Sequence, residues 1–376
     1  MNTPTLTPTE RDQAIDYLVD RVLRTRAECG QRYPLFAVPA GGPWTTSRRG
    51  SWCAGTWIGL LRIAAAHSGD TGTARDALDR ARSLARWVDT DTVFRAMVVH
   101  CATDPADAPD AVANDSTVTH LRQQCARSLT SAYSPALGAI PDGTALGRGA
   151  LGTRTCTVDA TAAVIELLTP APQVPGAARV AHRHTRTLLG CELPDGRVPA
   201  KRWLRVDGLG TKPVGCPGTW ARGQAWALLG AAAAVRAWGA AWLAPARALA
   251  AHWIALPVPP PDIEGQPDPV DTAATAIAAD ALRLLAGADP QHAAAHQATR
   301  HRLCATLART HLTGTAPQSP PGTPTGVLTH SCYQTGPQGR QQVECVWGEY
   351  HLLRALAGTD DTPPPRRRRG AGQQSP

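Results

Sequence analysis

Short segments of apolar residues at helical spacing recur along almost the whole chain, and this periodicity constrains the fold more than any other feature. Each segment is bounded by glycine, proline or aspartate, which commonly begin or end helices. About twelve helices are predicted, near residues 10–28, 52–67, 73–88, 91–102, 116–133, 157–168, 176–189, 219–238, 240–254, 271–286, 289–312 and 342–357. Since a barrel of six helical hairpins needs twelve helices, we predict an all-α fold, an (α/α)6 barrel.

The composition agrees with this prediction. Hydrophobic residues make up 43% of the chain, but they are mainly alanine and leucine, with only 2 phenylalanines. No alternation of valine, isoleucine and threonine is long enough for a sheet core, although 195–211 is compatible with a short hairpin or a long loop. The Pro/Gly-rich stretches 255–270 and 313–341 are predicted to be loops. We predict one catalytic domain over 1–357 and a disordered Arg/Pro-rich tail over 358–376.

The net charge of +8 does not indicate a nucleic-acid partner. Half of that excess comes from Arg366, Arg367, Arg368 and Arg369 in the tail, and no recognised nucleic-acid-binding module accompanies the charge. We therefore predict no nucleic-acid partner.

The 10 cysteines are scattered without a Cys-x-x-Cys pair. The chain also lacks zinc-ligand spacing, a phosphate-binding Gly-x-x-x-x-Gly-Lys loop and a Gly-x-Ser-x-Gly nucleophile elbow, so we predict no metal and no cofactor.

The N-terminus has no apolar signal-peptide core, and no run approaches the roughly 18 apolar residues of a membrane span. The expectation is a cytoplasmic protein with free thiols and no membrane partner. The oligomeric state stays open.

The stretch 219–230 carries the clearest chemical signal. Thr219 is a plausible N-cap, which would place Trp220 and Arg222 in the first helical turn. A helix N-terminus favours an anion, a guanidinium can bind a carboxylate through two parallel hydrogen bonds, and a sugar ring can lie on an indole face. The pattern is typical of an acidic-sugar site, and equally of a buried amphipathic helix with a surface arginine.

Two more predicted helix starts carry polar or aromatic residues. Trp52 and Trp57 lie at the beginning of a helix, where tryptophans serve as sugar platforms or, more commonly, pack in the core. Asp271 follows Pro269 and is better interpreted as a helix cap than as a catalyst. Neither start alone decides the function.

Together these stretches resemble glycoside hydrolase family 88, the unsaturated glucuronyl hydrolases. The family's Trp-x-Arg-Gly-Gln-Ala-Trp helix is matched without a gap by 220–226, and its Trp-Gly-Asp-Tyr ending is similar to 347–350, with Glu349 in place of aspartate. The N-terminal tryptophan-glycine pattern looks like 52–60, and the family's Asp-Ser-Ser-Ala helix start is similar to 271–274.

The resemblance implies an (α/α)6 barrel that hydrates the C4=C5 double bond of an unsaturated uronate in a small acidic saccharide. One aspartate delivers a proton to C4 and assists the addition of water at C5, and the resulting hemiketal opens and releases the neighbouring sugar. Unlike an ordinary glycosidase, such an enzyme needs one acid/base group with a raised pKa instead of a carboxyl pair that flanks the glycosidic bond.

The resemblance also implies the site residues. Asp159 takes the position of the catalytic general acid/base. Asp91 takes that of a second aspartate, which by its charge would keep Asp159 protonated near neutral pH. Either aspartate could instead be a helix N-cap. The substrate contacts implied are Trp52, Trp220, Arg222, Gln224 and Lys212.

This chain departs from the family pattern at several positions. The family histidine falls on Ala200, a family glutamine falls on Lys212, and the residues after Asp159 are small. Lys201, Arg202 or Lys212 could supply a new anion contact. Two alternatives therefore stay open: a barrel that has lost catalysis and binds an acidic sugar or a protein partner, and a related α/α-barrel sugar epimerase, a class that normally needs paired histidines.

Overall fold

Thirteen α-helices and seven short strands make up the described part of the chain. The computed structural model describes residues 5–358 apart from 109, 191, 192, 194, 209, 216, 317–321, 337 and 338. The helices are α1 (Pro8–Cys29), α2 (Ala54–Ser68), α3 (Thr71–Arg82), α4 (Arg95–Thr103), α5 (Ala111–Asn114), α6 (Ser116–Ser131), α7 (Thr161–Leu168), α8 (Ala177–Leu189), α9 (Ala221–Trp238), α10 (Leu243–Ala255), α11 (Thr272–Ala288), α12 (Ala293–His311) and α13 (Val346–Ala357). The strands are β1 (Tyr33–Ala37), β2 (Trp44–Ser47), β3 (Thr155–Thr157), β4 (Lys201–Leu204), β5 (Thr211–Pro213), β6 (Ser331–Gly336) and β7 (Gly339–Cys345).

Six helices form a closed inner ring. Helices α2, α4, α7, α9, α11 and α13 are buried around nearly their whole circumference. Each contacts the next in this order, and α13 returns to α2. Helices α1, α3, α6, α8, α10 and α12 bury mainly one face and lie outside the ring. The predicted (α/α)6 barrel is confirmed, and its twelve helices are the twelve that the periodicity predicts.

All six inner helices begin later than predicted, and three of them begin four residues later. Helix α4 begins at Arg95, α7 at Thr161 and α13 at Val346, because a turn, β3 and β7 respectively occupy the preceding residues. These strands use their backbone groups in sheet hydrogen bonds, so they cannot continue the helices in the N-terminal direction. The predicted tail lies outside the described residues from 359 onwards.

The two antiparallel sheets are the main feature that the sequence prediction lacks. One has the strand order β2-β1-β7-β6 and the other β3-β4-β5. The β4–β5 hairpin falls in and just beyond the stretch predicted as a hairpin or loop. The prediction of a loop over 313–341 is wrong at its end, where β6 and β7 lie. Their sequences, Ser-Cys-Tyr-Gln-Thr-Gly and Gly-Arg-Gln-Gln-Val-Glu-Cys, contain no run of β-branched residues, and the pairing of distant segments stabilises them.

Close approach of the inner helices requires small residues, and Gly55 of α2 shows why. A Cβ atom added at Gly55 would lie 2.3 Å from the carbonyl oxygen of Val98 in α4. Gly287 of α11 is the opposite case, since a Cβ atom there would have no neighbour within 4 Å.

We therefore expect Gly55→Ala to lower the free energy of unfolding by about 1–3 kcal/mol through overpacking. Gly287→Ala, the matched control, should raise it by roughly 0.5–1 kcal/mol because alanine is the better helix former. Urea unfolding of both variants checks the prediction, and equal effects of the two substitutions would refute the close approach of α2 to α4.

One helical stretch, residues 221–255, is long and apolar enough to cross a membrane, with a mean hydropathy of 1.4 over its most apolar window. In the structure, 56% of that window is buried inside the fold, as expected for a core helix of a barrel. The eight cysteines in the described part of the chain are buried free thiols, whereas Cys191 and Cys216 lie outside it.

Candidate functional site

An open cleft of about 490 Å³ lies where the start of α9, the start of β4, the loop around residue 262 and the β6–β7 hairpin meet. Its lining includes two of the predicted site residues, Trp220 and Arg222. The side chains of Lys201, Tyr333 and Arg340 line it as well. The cleft therefore combines aromatic rings with guanidinium and ammonium groups, which suits an acidic sugar.

Arg222 is the buried cation of this cleft. Its Nη1 group donates hydrogen bonds to Asp271 Oδ2 at 3.1 Å and to the backbone carbonyl oxygen of Cys332. Burial opposes its charge, but the Asp271 carboxylate more than offsets this, so the pKa of Arg222 is raised. Its Nε and Nη2 groups make no hydrogen bond to the described residues. These two donors form the edge of a guanidinium that can bind a carboxylate through two parallel bonds.

Aromatic rings surround the same guanidinium. The Cζ atom of Arg222 lies 5.2 Å from the ring centre of Trp220, 5.8 Å from that of Trp347 and 6.0 Å from that of Tyr333. The ring faces attract the cation and exclude water from it. Trp52 contributes indirectly, because it stacks on Trp347 with 4.8 Å between ring centroids, and it does not line the cleft.

Trp220 has a defined orientation at the start of α9. Its indole Nε1 donates a hydrogen bond to Asp262 Oδ1 at 3.0 Å, and Asp262 also pairs with Arg340 at 3.1 Å. A Cβ atom on Gly223 would lie 2.7 Å from the indole ring, so only glycine leaves room for it.

The prediction of Thr219 as the N-cap of α9 is wrong, since Trp220 occupies that position. A side-chain cap is not needed there because the carbonyl oxygen of Asp262 accepts a hydrogen bond from the backbone N–H of Ala221 at 2.9 Å. In contrast, Asp271 caps α11 as predicted, with Oδ1 accepting from the N–H groups of Ala273 and Ala274. That cap carboxylate is also the partner of Arg222.

Asp159 lies between β3 and α7, beside the start of β4. The backbone N–H of the preceding residue, Val158, donates to the carbonyl oxygen of Ala200, which lines the cleft. Asp159 is not the N-cap of α7, because Ala160 holds that position and no side chain caps the helix. The N-cap interpretation of Asp159 is therefore wrong.

The pKa of the Asp159 carboxyl group is raised above its ordinary value. Its Oδ1 atom is buried and has no hydrogen-bond partner. Burial raises the pKa of Asp159 to about 6, against the opposing charge of Arg222 and with a further contribution from the carboxylate of Asp142. This value suits a group that gives and takes protons near neutral pH.

Asp142, which the sequence analysis missed, is the carboxylate that acts on Asp159. It is buried, with Oδ2 accepting from Thr155 Oγ1 at 2.8 Å and lying 3.9 Å from Arg148. Because Asp142 stands in a Pro-Asp-Gly sequence, local pattern indicates only a turn. Its position behind Asp159 depends on the pairing of residues 142 and 155, whose backbones share a hydrogen bond of 2.8 Å.

Asp91 has a different environment from the one that its predicted role needs. It is exposed, and its Oδ2 accepts from Thr144 Oγ1 at 2.6 Å and from the Thr144 N–H at 2.9 Å. These bonds lower the pKa of Asp91, so its charge anchors the loop around Thr144. The resemblance predicts that Asp91 raises the pKa of Asp159. In the structure, burial and the carboxylate of Asp142 raise that pKa instead.

Two further predicted contacts lie away from the cleft. Gln224 is buried, with its amide oxygen accepting from the Val198 N–H at 3.1 Å and its amide nitrogen donating to the Val198 carbonyl oxygen at 2.8 Å. It therefore positions the chain before β4 instead of facing a ligand. Lys212 is exposed on β5 and does not line the cleft, which Lys201 lines in its place.

Asp159 does not line the cleft itself; it lines a narrow cavity of about 30 Å³ inside the ring of inner helices. Such a volume holds roughly two water molecules. His100 Nδ1 and His351 Nε2, which belong to residues lining the same cavity, are buried without hydrogen-bond partners. Water in this cavity would satisfy these atoms and the free Oδ1 of Asp159.

Solved structures of unsaturated glucuronyl hydrolases have the same fold as this chain. The enzyme from Bacillus sp. GL1, which degrades glycosaminoglycan, is 22% identical, with a TM-score of 0.78 over 92% of this chain and 96% of that one. The Streptococcus agalactiae enzyme is 18% identical, with a TM-score of 0.77 over 94% and 93%. An unsaturated glucuronyl hydrolase specific for heparin is 19% identical, with a TM-score of 0.76 over 93% and 96%.

No protein-family model and no curated protein sequence matches the chain. The predicted resemblance to the unsaturated glucuronyl hydrolases is thus confirmed at the level of the fold, which the two share over nearly the whole of both chains.

Proposed function

We propose that the chain is a hydrolase that acts on saccharides or glucuronides with a 4,5-unsaturated glucuronyl group by hydrating the C4=C5 double bond. The observation that carries the proposal is the carboxyl of Asp159, whose Oδ1 atom is buried without a hydrogen-bond partner and whose pKa burial raises to about 6 against the opposing charge of Arg222. The shared fold supports it, since a solved structure of the Streptococcus agalactiae enzyme contains dGlcA-GalNAc6S.

Each reacting group has a partner in this mechanism. The substrate carboxylate binds the free Nε and Nη2 groups of Arg222, and the sugar ring lies against the indole of Trp220. Protonated Asp159 delivers its proton to C4 while water adds at C5, and the Asp159 carboxylate accepts the proton that the water loses. This second transfer returns Asp159 to its protonated form. The C5 hemiketal then opens and releases the leaving group.

The experiment is to follow the ultraviolet absorbance of the enol ether with unsaturated disaccharides made by chondroitin, heparin and gellan lyases. We expect at least one substrate to lose the absorbance. Because Asp159 must be protonated to act as the acid and its pKa is about 6, kcat/KM should fall as the pH rises through about 6.

Two outcomes would contradict the proposal. If no disaccharide is consumed but one still binds through Arg222, the chain binds acidic sugars without hydrolysing them. If none binds, the cleft is not the substrate site.

We expect Arg222→Lys to raise KM about tenfold or more with a smaller change in kcat, because an ammonium group keeps the charge beside Asp271 but cannot offer two parallel donors to a carboxylate. Steady-state kinetics with the best disaccharide test this. Lys201→Gln, which removes another cation from the same cleft, is the control and should have the smaller effect. A larger rise in KM for Lys201→Gln would place the carboxylate elsewhere.

One observation favours the binding-only alternative. Ala200 lines the cleft where the family pattern has a histidine, so a polar contact is replaced by a methyl group. The epimerase alternative has less support, because no histidine is among the described residues that line the cleft. His100 and His351 instead belong to the internal cavity.

A further inference from the structure

A second cleft, of about 480 Å³, lies on the other face of the β3–β4–β5 sheet. Successive side chains of a strand point to opposite faces, so Lys201 lines the candidate active-site cleft and its neighbour Arg202 lines the second one. Thr211 of β5 lies on the Arg202 side of the sheet. The segment 133–138 and helix α8 form the remaining walls.

Three arginines line this second cleft, and none of its described lining residues is a carboxylate. Arg183 and Arg186 come from α8, three residues apart and thus on neighbouring parts of one helix face, and Arg202 comes from β4. Among the residues that the structure describes, none of the three forms an ion pair. The described walls of the second cleft therefore concentrate positive charge that no carboxylate among their own residues offsets.

Arg202 is the buried arginine of the second cleft. It is only 5% exposed. Its Nε donates to Thr211 Oγ1 at 2.7 Å and its Nη2 to the Thr211 carbonyl oxygen at 3.3 Å, while its Nη1 is buried without a hydrogen-bond partner. A buried guanidinium without an anion is costly.

Three other deeply buried arginines have carboxylate partners, whereas Arg95, which is 3% exposed, donates among the described residues only to the backbone carbonyl oxygens of Thr90 and Ser128. Arg21 pairs with Glu344 at 2.6 Å, Arg62 with Asp110 at 2.8 Å and Arg222 with Asp271 at 3.1 Å. Like Arg95, Arg202 lacks a carboxylate partner among the described residues, but it lines a cleft together with the two exposed arginines of α8. An anionic group bound between Arg202 and α8 would take the place of the missing carboxylate.

The walls of the second cleft are formed before any ligand binds. The Gly210 N–H donates to the Ala136 carbonyl oxygen at 3.1 Å, which joins the β4–β5 turn to the 133–138 segment. Thr187 Oγ1 donates to the Gly138 carbonyl oxygen at 2.7 Å, which joins that segment to α8. The ring of Tyr133 and the side chain of Leu137 add apolar surface to the lining.

We propose that the second cleft binds an oxyanion, the carboxylate, sulfate or phosphate group of a small ligand, between Arg202 and the arginines of α8. The same chemistry fits a free inorganic anion or the acid group of a saccharide. The proposal concerns a site separate from the one assigned to hydrolysis and does not depend on that activity.

The test is isothermal titration calorimetry of the whole protein with inorganic phosphate, inorganic sulfate and a glucuronate-containing disaccharide. The double variant Arg183→Gln/Arg186→Gln should weaken binding at this site at least about tenfold, since it removes two charge-assisted contacts. Arg179→Gln is the matched control, because it makes the same charge change on the same helix outside the cleft. Lys201→Gln is a second control, on the opposite face of the sheet. Both controls should stay within about twofold.

The outcomes separate cleanly. If the binding that the double variant weakens is far tighter for the disaccharide than for phosphate, the ligand is a saccharide acid, and equal affinities for that binding identify a free oxyanion. The proposal is overturned if none of the probes shows binding that the double variant weakens, or if Arg179→Gln weakens binding equally. Enol-ether hydrolysis should be unchanged in the double variant, so a failure of hydrolysis with anion binding intact would refute only the proposed activity.

Discussion

Replacing Asp159 with asparagine should lower kcat for enol-ether hydration by about 10²–10⁴-fold, the usual contribution of a general acid/base, with little change in KM. The amide has nearly the shape of the carboxyl but cannot supply or accept the proton. The Oδ1 atom of Asp159 makes no hydrogen bond, so the substitution breaks no bond at that atom. The decay of ultraviolet absorbance measures the rate, and circular dichroism checks that the variant folds.

Asp142→Asn is the informative control for this prediction. The Asp142 carboxylate helps to raise the pKa of Asp159, so its removal should lower that pKa. The pH at which kcat/KM falls should then move downwards while hydration persists. If Asp159→Asn retains most of the activity, or if the pH profile of Asp142→Asn does not move, Asp159 is not the acid.

The second large effect is expected on stability. Arg354→Leu should lower the free energy of unfolding by about 3–5 kcal/mol, as when one partner of a buried ion pair is removed. Arg354 lies in the ring interior and pairs with Asp104 at 2.9 Å, with Asp280 at 3.0 Å and with Asp107. His351 Nδ1 also lies 2.9 Å from Asp280. Without Arg354, three carboxylates stay in the barrel interior with much less compensation.

An exposed pair provides the comparison for this prediction. Arg205 and Asp207 interact at 3.1 Å on the surface, and each side chain is about half exposed. Arg205→Leu should change the free energy of unfolding by less than about 1 kcal/mol. Urea unfolding of both variants measures the difference, and similar losses for the two would mean that the buried cluster contributes no special stability.

The helices and part of the site could be predicted because their signals are local. Apolar residues three and four positions apart specify a buried helix face whatever lies opposite, so all twelve long helices follow from the sequence. The prediction that Asp271 caps a helix needs only the sequence of the residues that follow it. Trp220 and Arg222 come together in the cleft because they are two residues apart at one helix start.

Other parts of the site could not be predicted because they join distant segments. Arg222 and Asp271 are 49 residues apart, and Asp142 acts on Asp159 only after 142 and 155 pair. The alternation along β4 decides that Lys201 faces one cleft and Arg202 the other, whereas the local pattern leaves 195–211 open between a short hairpin and a long loop.

The sequence by itself thus determined the helices, the Asp271 cap and the fold class, because helical periodicity and capping by Asp271 depend on neighbours within one or two turns. Only the tertiary structure decided which charges are buried together, which lysine lines the cleft, and why the pKa of the Asp159 carboxyl is raised to about 6. The reason is physical: pKa values and ion pairs depend on distance and burial in space, and closure of the barrel sets both.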